Sequence, residues 1–313
     1  MARSLVIAAA LLALVATPAH GARSTPVREV ASAAVQDGED QWTLASDGRR
    51  YVSYVLAGTR TARVHDTATG ATFDVPDCRL LVGSNGLFVA ACGERFHAYG
   101  GGKHFLDART RQLFPIRGQL PGDAFDAIGE HWVRGADTTP CPTFNCSEVT
   151  VYVNRKTGRR VDCFSESEGA CDGRIDMSTP SGRWRKHSRM LLAREEAGVI
   201  LRERGRRDRR LSSRGACTQG ADYCDATLSS GHVTWSEPDR ANGRRAHVFG
   251  FDLRTERRAA WKVPRAWACP GERGELHARV VHTRHEVWFA GLFPAYPSEA
   301  CRSAPVYAAR WPR

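Results

Sequence analysis

The chain has 313 residues, ten cysteines and a formal net charge of +11 at pH 7, and 42% of its residues are hydrophobic. This length is sufficient for one large domain with a sizeable core. After the first 21 residues no stretch approaches about 18 consecutive apolar residues, which excludes later membrane-spanning helices. The composition is therefore that of a basic globular protein, and basic proteins adhere to anionic partners.

The first 21 residues have the pattern of an export signal. Arg3 supplies a positive charge, positions 5–15 form an apolar run, and Ala19-His20-Gly21 offers small residues for a cleavage site. We therefore expect a signal peptide at 1–21 and a secreted or extracytoplasmic mature chain that forms a single domain at 22–313. An uncleaved N-terminal anchor is the alternative interpretation.

All ten cysteines lie in the expected mature chain, and an even number of cysteines in an exported protein predicts disulfide bonds. Cys78 and Cys92 are equidistant from Asn85, which occupies a turn between two apolar arms. The two residues should therefore face each other across a hairpin. The other pairings stay open, and pairing between sequence neighbours would join Cys141 to Cys146, Cys163 to Cys171, Cys217 to Cys224 and Cys269 to Cys301.

A short pattern recurs along the chain: a strand, Asp or Asn, two residues, Thr, usually Gly, and a second strand. Its first polar residue is Asp66, Asp107, Asn154 or Asp252, at intervals of 41, 47 and 98 residues. The last interval equals two periods of 49, so a degenerate copy is expected near Glu203. A period of this size, built from strands and tight turns, predicts a β-propeller.

The strand-like segments group into six units. Five are clear, at 41–76, 79–116, 124–163, 225–264 and 278–309, and the fourth, around 190–201, is the weakest. The sixth unit has only three strands, so Pro26 to Ala31 should supply its outer strand and close the ring. We predict an all-β, six-bladed β-propeller whose N-terminal strand closes the last blade. A five- or seven-bladed propeller is the alternative.

The repeated hairpin resembles that of secreted WD40-like and TolB-like six-bladed propellers. The resemblance covers most of the mature chain in period, although Gly is absent after Thr110 and Thr255 and no Trp-Asp dipeptide ends a unit. It implies a propeller that serves as a binding platform. Other propellers carry hydrolase or lyase sites, so the resemblance concerns the fold and leaves the function open.

Arginine supplies 41 of the 45 basic residues, a bias that a GC-rich genome also produces. The densest cluster lies at 202–214, where mutual repulsion predicts an exposed segment. It could contact an anionic polymer, or it could be an ordinary loop between blades. Nucleic acid is a poorer fit, because no aromatic residues are interleaved for base stacking. The candidate binding residues of this cluster are Arg206, Arg207, Arg209 and Arg210.

The tryptophans fall into two groups. Trp132, Trp235 and Trp288 lie within apolar strand runs and should belong to the core. Trp184 and Trp267 lie among loop residues and are candidate contacts for a ligand.

No local motif assigns catalytic residues. The chain lacks a Gly-x-Ser-x-Gly elbow and a His-Glu-x-x-His sequence. His277, His282 and His285 form the densest histidine stretch, but the first two would point to opposite faces of a strand. His282 and His285 are expected to flank a turn, and no metal or other cofactor is expected.

We therefore expect a monomeric, exported and disulfide-stabilised propeller that binds a protein, a peptide or an anionic cell-envelope polymer. The alternative is a hydrolase or lyase with its active site in the central funnel. That alternative requires several His, Asp or Glu side chains from different blades to converge on the axis.

Overall fold

The computed structural model describes residues 24–34, 44–94, 102–116, 124–137, 149–164, 175–183, 188–194, 198–212, 226–238, 246–264, 277–292 and 303–312. Within these ranges the chain forms strands, turns and irregular segments, and none of its residues forms a helix that could cross a membrane. The expected signal peptide at 1–21 lies outside the described residues.

The first strands of the chain form a lone strand and two complete blades. The lone strand is β1 (Val27–Ala34). The first blade contains β2 (Leu44–Ser46), β3 (Tyr51–Val55), β4 (Ala62–Asp66) and β5 (Thr72–Val75). The second contains β6 (Cys78–Ser84), β7 (Leu87–Cys92), β8 (His104–Asp107) and β9 (Gln112–Pro115).

Four further sheets follow. The third blade contains β10 (Ala124–Ile128), β11 (Trp132–Asp137), β12 (Val149–Asn154) and β13 (Arg160–Phe164). The fourth has three strands among the described residues, β14 (Arg189–Arg194), β15 (Gly198–Glu203) and β16 (Arg209–Arg210). The fifth contains β17 (Ala226–Ser229), β18 (His232–Pro238), β19 (Ala246–Asp252) and β20 (Arg258–Lys262). The sixth contains β21 (His277–His282), β22 (Glu286–Leu292) and β23 (Ser303–Arg310).

The first strand of each four-stranded blade lies next to the ring axis. The strand β2 contacts β6 on one side and β21 on the other, β6 contacts β10, and β17 contacts β21. In the fourth blade β14 makes the contact with β17. The contact between β21 and β2 joins the last blade to the first. These sheets form a closed six-bladed propeller, which confirms the predicted fold class.

The N-terminal strand completes the sixth blade. Strand β1 pairs antiparallel with β23 from Val27 opposite Ala309 to Ala34 opposite Ser303, so the sheet order is β1-β23-β22-β21. An ion pair strengthens this closure, because Arg28 Nη2 donates to Glu286 Oε1 at 2.6 Å. The predicted closing strand is confirmed and extends three residues beyond its expected end.

The core lies between neighbouring blades. Trp132, Trp235 and Trp288 are each at most 1% exposed, which confirms them as core residues. Trp288 packs in one cluster with Leu44 of the first blade, so it joins the two ends of the ring. Burial of an apolar side chain of this size stabilises the fold by at least about 2 kcal/mol, and single blades bury little without their neighbours.

The repeated Asp or Asn caps the hairpin between the third and fourth strands of its blade. Asp66 Oδ1 accepts the N–H of Ala68 at 3.0 Å, and the N–H of Gly70 donates to the Asp66 carbonyl at 2.8 Å. Asn154 is bonded in the same way to the turn that ends at Gly158. Side chains of this type hydrogen-bond their own turn, which explains why the pattern needs Asp or Asn.

Gly occupies a left-handed position in these hairpins, with φ of +77° at Gly70 and +73° at Gly158. In the two copies that lack Gly, Arg111 and Glu256 adopt the same conformation, with φ of +60° and +56°. The left-handed region costs about 1–2 kcal/mol for a residue with a Cβ atom. These two hairpins therefore keep their shape at a local energetic cost.

We expect Gly70→Ala to lower the free energy of unfolding by about 1 kcal/mol. A Cβ atom at Gly70 would meet nothing within 4 Å, so the effect should be purely conformational. Gly70→Asn is the matched control, because Asn tolerates the left-handed region, and it should lose less than the Ala variant. Urea denaturation of the two variants measures the difference, and equal stabilities would contradict this reading of the turn.

One backbone hydrogen bond recurs in every blade. In the first, second, third and fifth blades the residue after the capping position donates its N–H to the carbonyl just before the second strand. In the fourth and sixth blades Arg204 and Trp311 donate to the carbonyls just before β14 and β22. The six bonds join Thr67 to Arg50, Ala108 to Gly86, Arg155 to His131, Arg204 to Ser188, Leu253 to Gly231 and Trp311 to His285, at 2.8–3.1 Å.

The fourth of these bonds confirms the degenerate copy expected near Glu203. In the first, second, third and fifth blades each bond ties two turns at the same end of the ring. The two turns are the one after the first strand, which we call the first turn, and the repeated hairpin. In the fourth blade the bond ties this hairpin to the segment before β14, and in the sixth it ties the first turn to the segment after β23. We call this end of the propeller the turn face.

Cys78 and Cys92 lie directly opposite each other in the pairing of β6 with β7 and form a disulfide bond. Their Cα atoms are 4.1 Å apart. The side chain of Cys163 is not among those described, and Cys141, Cys146, Cys171, Cys217, Cys224, Cys269 and Cys301 lie outside the described residues.

Candidate functional site

A cavity of about 520 Å³ opens where the first turns of the blades converge at the turn face. We call it the mouth cavity. Among the described residues every blade contributes to its wall. The lining includes Asp47, Arg49, Asn85, Ile128, Glu130, Asp176, Met177, Met190, Leu228, Ser229 and Arg284.

The fourth blade lines this cavity with an irregular segment, residues 175–183. The third blade holds the segment in place: Trp132 Nε1 donates to the Thr179 carbonyl at 2.9 Å, and Asn154 Nδ2 donates to the Pro180 carbonyl at 3.1 Å. The wall between these two blades is thus held by Trp132, which also packs in the core, and by Asn154, which also caps the hairpin.

Asp47 belongs to the wall but is fully engaged by the backbone. Its Oδ1 atom accepts the N–H groups of Arg49, Arg50 and Tyr51 at 2.8–2.9 Å, and its Oδ2 atom accepts the N–H of Gly86 at 2.8 Å. The residue is 4% exposed. Its carboxylate therefore shapes the first turn and joins it to the second blade.

Asp176 is engaged in the same way. Its Oδ1 atom accepts the N–H and the hydroxyl of Ser178, at 3.0 and 2.6 Å, and its Oδ2 atom accepts the hydroxyl of Ser188. Both carboxylate oxygens of Asp176 are thus occupied by donors from the protein. Both buried acids of the wall therefore have structural roles.

His282 links the fifth and sixth blades behind the cavity wall. Its Nε2 atom lies 3.1 Å from the Ser229 carbonyl and 2.8 Å from the Ser229 hydroxyl, and its Nδ1 atom lies 2.9 Å from the Thr234 hydroxyl. A carbonyl can only accept, so this network assigns the proton to Nε2 and makes Nδ1 the acceptor from Thr234.

This tautomer determines whether His282 could act as a base towards the Ser229 hydroxyl. Because Nε2 carries a proton towards Ser229, the imidazole is not placed to take the proton of that hydroxyl. Complete burial also lowers the pKa of His282 to about 4, since the imidazolium would lose its hydration. His282 flanks a turn as expected, but its role in this arrangement is a buried hydrogen-bonded bridge between blades.

Two exposed arginines stand on the rim of the cavity. Arg49 Nη1 donates to Asn85 Oδ1, and the backbone N–H of Arg284 donates to the Arg49 carbonyl at 3.2 Å. The first and sixth blades thus bring two guanidinium-bearing residues to one side of the mouth. Glu130 is exposed on the third blade.

The arginine cluster predicted from the sequence lies on the hairpin between β15 and β16, at the outer edge of the fourth blade. Arg206 pairs with Glu203 at 3.1 Å, and Arg209 pairs with Glu256 at 3.0 Å. The Arg209 guanidinium also lies over the Phe251 ring, 4.5 Å from its centre.

Arg207 and Arg210 are exposed, and neither forms an ion pair within the part of the chain that the structure describes. All four candidate arginines are therefore brought together on one exposed hairpin.

The ion pair between Arg209 and Glu256 joins this hairpin to the repeated hairpin of the fifth blade, which adds three more exposed arginines. Residues 202–210 and 252–258 together contain nine arginines and four acidic residues. We call this combined region the arginine surface. Sequence reasoning missed its second half because 47 positions separate Arg209 from Glu256 and only the packing of adjacent blades brings them together.

The remaining sequence-predicted candidates, Trp184 and Trp267, lie outside the described residues. Among the residues that are described, no group of three or more His, Cys, Asp or Glu side chains is placed to hold a metal ion.

Comparison with known proteins identifies no family for this chain. No protein-family model matches it, and no curated protein matches it. A luciferin-regenerating enzyme is 10% identical, with a TM-score of 0.45 over 91% of this chain and 95% of the enzyme. An oligogalacturonate lyase from Vibrio parahaemolyticus is 10% identical, with a TM-score of 0.43 over 93% and 99%.

TolB from Acinetobacter baumannii is 12% identical, with a TM-score of 0.38 over 85% of this chain and 65% of TolB. Because these similarities are low, the fold assignment rests on the sheets described above and not on these comparisons.

Proposed function

We propose that this protein is an exported, disulfide-stabilised propeller that binds an anionic cell-envelope polymer through the arginine surface. The observation that carries the proposal is the ion pair between Arg209 and Glu256, which makes one continuous basic surface from the hairpins of two blades. The surface contains nine arginines and four acidic residues, so it has an excess of positive charge.

The chemistry of arginine favours a polymer of phosphate, sulfate or carboxylate groups. A guanidinium presents a planar set of donors that matches such groups two bonds at a time. Because the arginines are spread over an outer surface, a chain with repeated charges can contact several of them at once. Each contact releases a counterion, so affinity should fall steeply with salt.

The same surface favours a cell-envelope polymer over nucleic acid. Neither 202–210 nor 252–258 contains an aromatic residue, so the two hairpins offer no platform for base stacking. The disulfide between Cys78 and Cys92 supports an extracytoplasmic setting, where such polymers occur and disulfides persist.

A binding role also fits the mouth cavity better than hydrolysis or elimination. The carboxylate oxygens of Asp47 and Asp176 accept hydrogen bonds from the wall itself. His282 is buried, and its Nε2 proton is directed at Ser229. A site for general acid and base catalysis needs such groups within reach of a substrate and with a pKa near the working pH.

The test compares two variants of equal net charge. In the first, Arg206, Arg207, Arg209 and Arg210 are replaced by Gln. In the control, four arginines of the first three blades are replaced instead: Arg60, Arg63, Arg111 and Arg159. Binding to heparin, a sulfated polymer, is measured as a function of salt by isothermal titration calorimetry.

We expect the first variant to bind at least about tenfold more weakly. Its slope of log K against log salt should become less steep by roughly three, since each lost ionic contact reduces the slope by about 0.7–0.9. The control should keep most of the wild-type slope. Equal losses in both variants would contradict the proposal, because they would show that only net charge matters.

The protein for this assay is recovered from the fraction outside the cytoplasm of an exporting host. A mass that corresponds to a chain beginning at Ala22 supports export, whereas an intact N-terminus found only in the cytoplasm contradicts it.

A further inference from the structure

We propose that the mouth cavity binds the C-terminal end of a peptide, with the terminal carboxylate at the rim arginines and an apolar last side chain inside. The proposal is independent of the arginine surface, which lies on the hairpins of the fourth and fifth blades. It concerns a second site for a different ligand.

The carboxylate subsite consists of Arg49 and Arg284. They come from the first and sixth blades, are both exposed, and are held next to each other by the bond from the Arg284 N–H to the Arg49 carbonyl. The contact with Asn85 uses one of the five N–H donors of the Arg49 guanidinium. The Arg284 side chain forms no ion pair with any described residue. Donors therefore remain for a ligand anion.

The buried acids of the wall do not occupy the rim arginines. The carboxylates of Asp47 and Asp176 accept backbone and hydroxyl donors, as described above, and form no ion pair with Arg49 or Arg284. Glu130, on the third blade, is the exposed acidic residue of the described lining. Arg134 of the third blade and Arg189 of the fourth also line the cavity, and Arg189 pairs with Glu203, so the exposed lining arginines that form no ion pair with a described residue are those of the first and sixth blades.

The wall carries an apolar patch where the fourth blade faces its neighbours, beside polar lining residues such as Ser178 and Ser229. Met177 and Met190 of the fourth blade, Ile128 of the third and Leu228 of the fifth line the cavity and are partly exposed. Methionine side chains adapt to ligands of different shape. A volume of about 520 Å³ lies within the usual range for sites that enclose a small ligand.

The combination of a charged rim and an apolar patch selects the ligand class. An acidic sugar would satisfy the arginines but would leave the patch of Met177, Met190 and Leu228 without an apolar partner. A peptide that ends in an apolar residue satisfies both parts of the site.

The experiment uses the mature chain and N-acetylated dipeptides that end in Leu, Met or Phe. Each dipeptide is prepared with a free C-terminal carboxylate and as the C-terminal amide, and binding is measured by saturation-transfer NMR titration. We expect the acids to bind at least about tenfold more tightly than the amides, since only the carboxylate forms charge-assisted hydrogen bonds with the rim arginines. Undetectable binding of all the acids, or equal binding of acids and amides, would overturn the proposal.

Substitutions locate the site. Arg49→Gln and Arg284→Gln should each weaken binding of the acids about tenfold, while Arg206→Gln on the arginine surface should leave it unchanged. Glu130→Gln should leave binding unchanged or strengthen it, because it removes a negative charge from the mouth. Loss of acid binding in Glu130→Gln, with no effect of the two rim substitutions, would overturn the assignment. Heparin binding stays at the wild-type level in both rim variants if the two sites are separate.

Discussion

Removing β1 is expected to lower the free energy of unfolding by about 3–5 kcal/mol, the cost of exposing a few core side chains and of leaving the buried Glu286 carboxylate without its ion-pair partner. A chain that begins at residue 35 lacks the outer strand of the sixth blade. Strand β23 then keeps β22 but loses its outer partner along the whole pairing from Ala309 to Ser303. Ala33 is 1% exposed in the closed ring, and Val30 packs against the cluster that contains Trp288.

Urea denaturation of chains 22–313 and 35–313 measures this effect. The pair Arg28 and Glu286 provides a finer control, because Glu286 is 6% exposed and also accepts a bond from Trp288 Nε1. Arg28→Gln should cost more than the double change with Glu286→Gln, since it leaves a buried carboxylate without its ion-pair partner. Equal urea midpoints for the long and short chains would show that β1 does not close the ring.

Lowering the pH from 7 to 4.5 should destabilise the protein through His282. The folded protein holds the pKa of this residue at about 4, against 6.5 for an ordinary histidine, because the imidazole is completely buried. The unfolded chain therefore binds a proton at a higher pH than the folded chain. The stability that this group contributes is complete above about pH 6.5 and is lost as the pH falls towards 4. The full loss is on the order of 3 kcal/mol.

His282→Gln isolates this contribution. The variant should be less stable than the wild type at pH 7, because it disturbs the bonds to Ser229 and Thr234. Its unfolding free energy should depend less on pH between 7 and 4.5, since the neutral amide does not titrate. Burial also lowers the pKa of His65 and His232, so part of the pH dependence should persist. An unchanged pH dependence in the variant would contradict the role assigned to His282.

The sequence was sufficient to predict the features that depend on local spacing. The hairpins at Asp66 and Asn154 could be predicted because the capping side chain and the Gly to which it is linked lie within five consecutive positions. Cys78 and Cys92 could be paired because one turn fixes their register. The closing strand followed from counting strands, since the sixth unit had only three.

Other features depend on contacts between distant positions and left no local signal. His282 has the same sequence surroundings as an exposed turn histidine, and only the packing of the fifth blade against the sixth buries it beside Ser229 and Thr234. Glu256 gave no indication that it would join two basic hairpins. The mouth cavity is also formed by six separate turns, so no sequence window contains it.

Experimental phasing of a crystal structure of residues 22–313 tests the closed ring most directly. We expect six sheets around one axis, with Val27 opposite Ala309 in the last of them. Strands stacked as two facing layers, or an N-terminal segment paired anywhere other than beside β23, would contradict it.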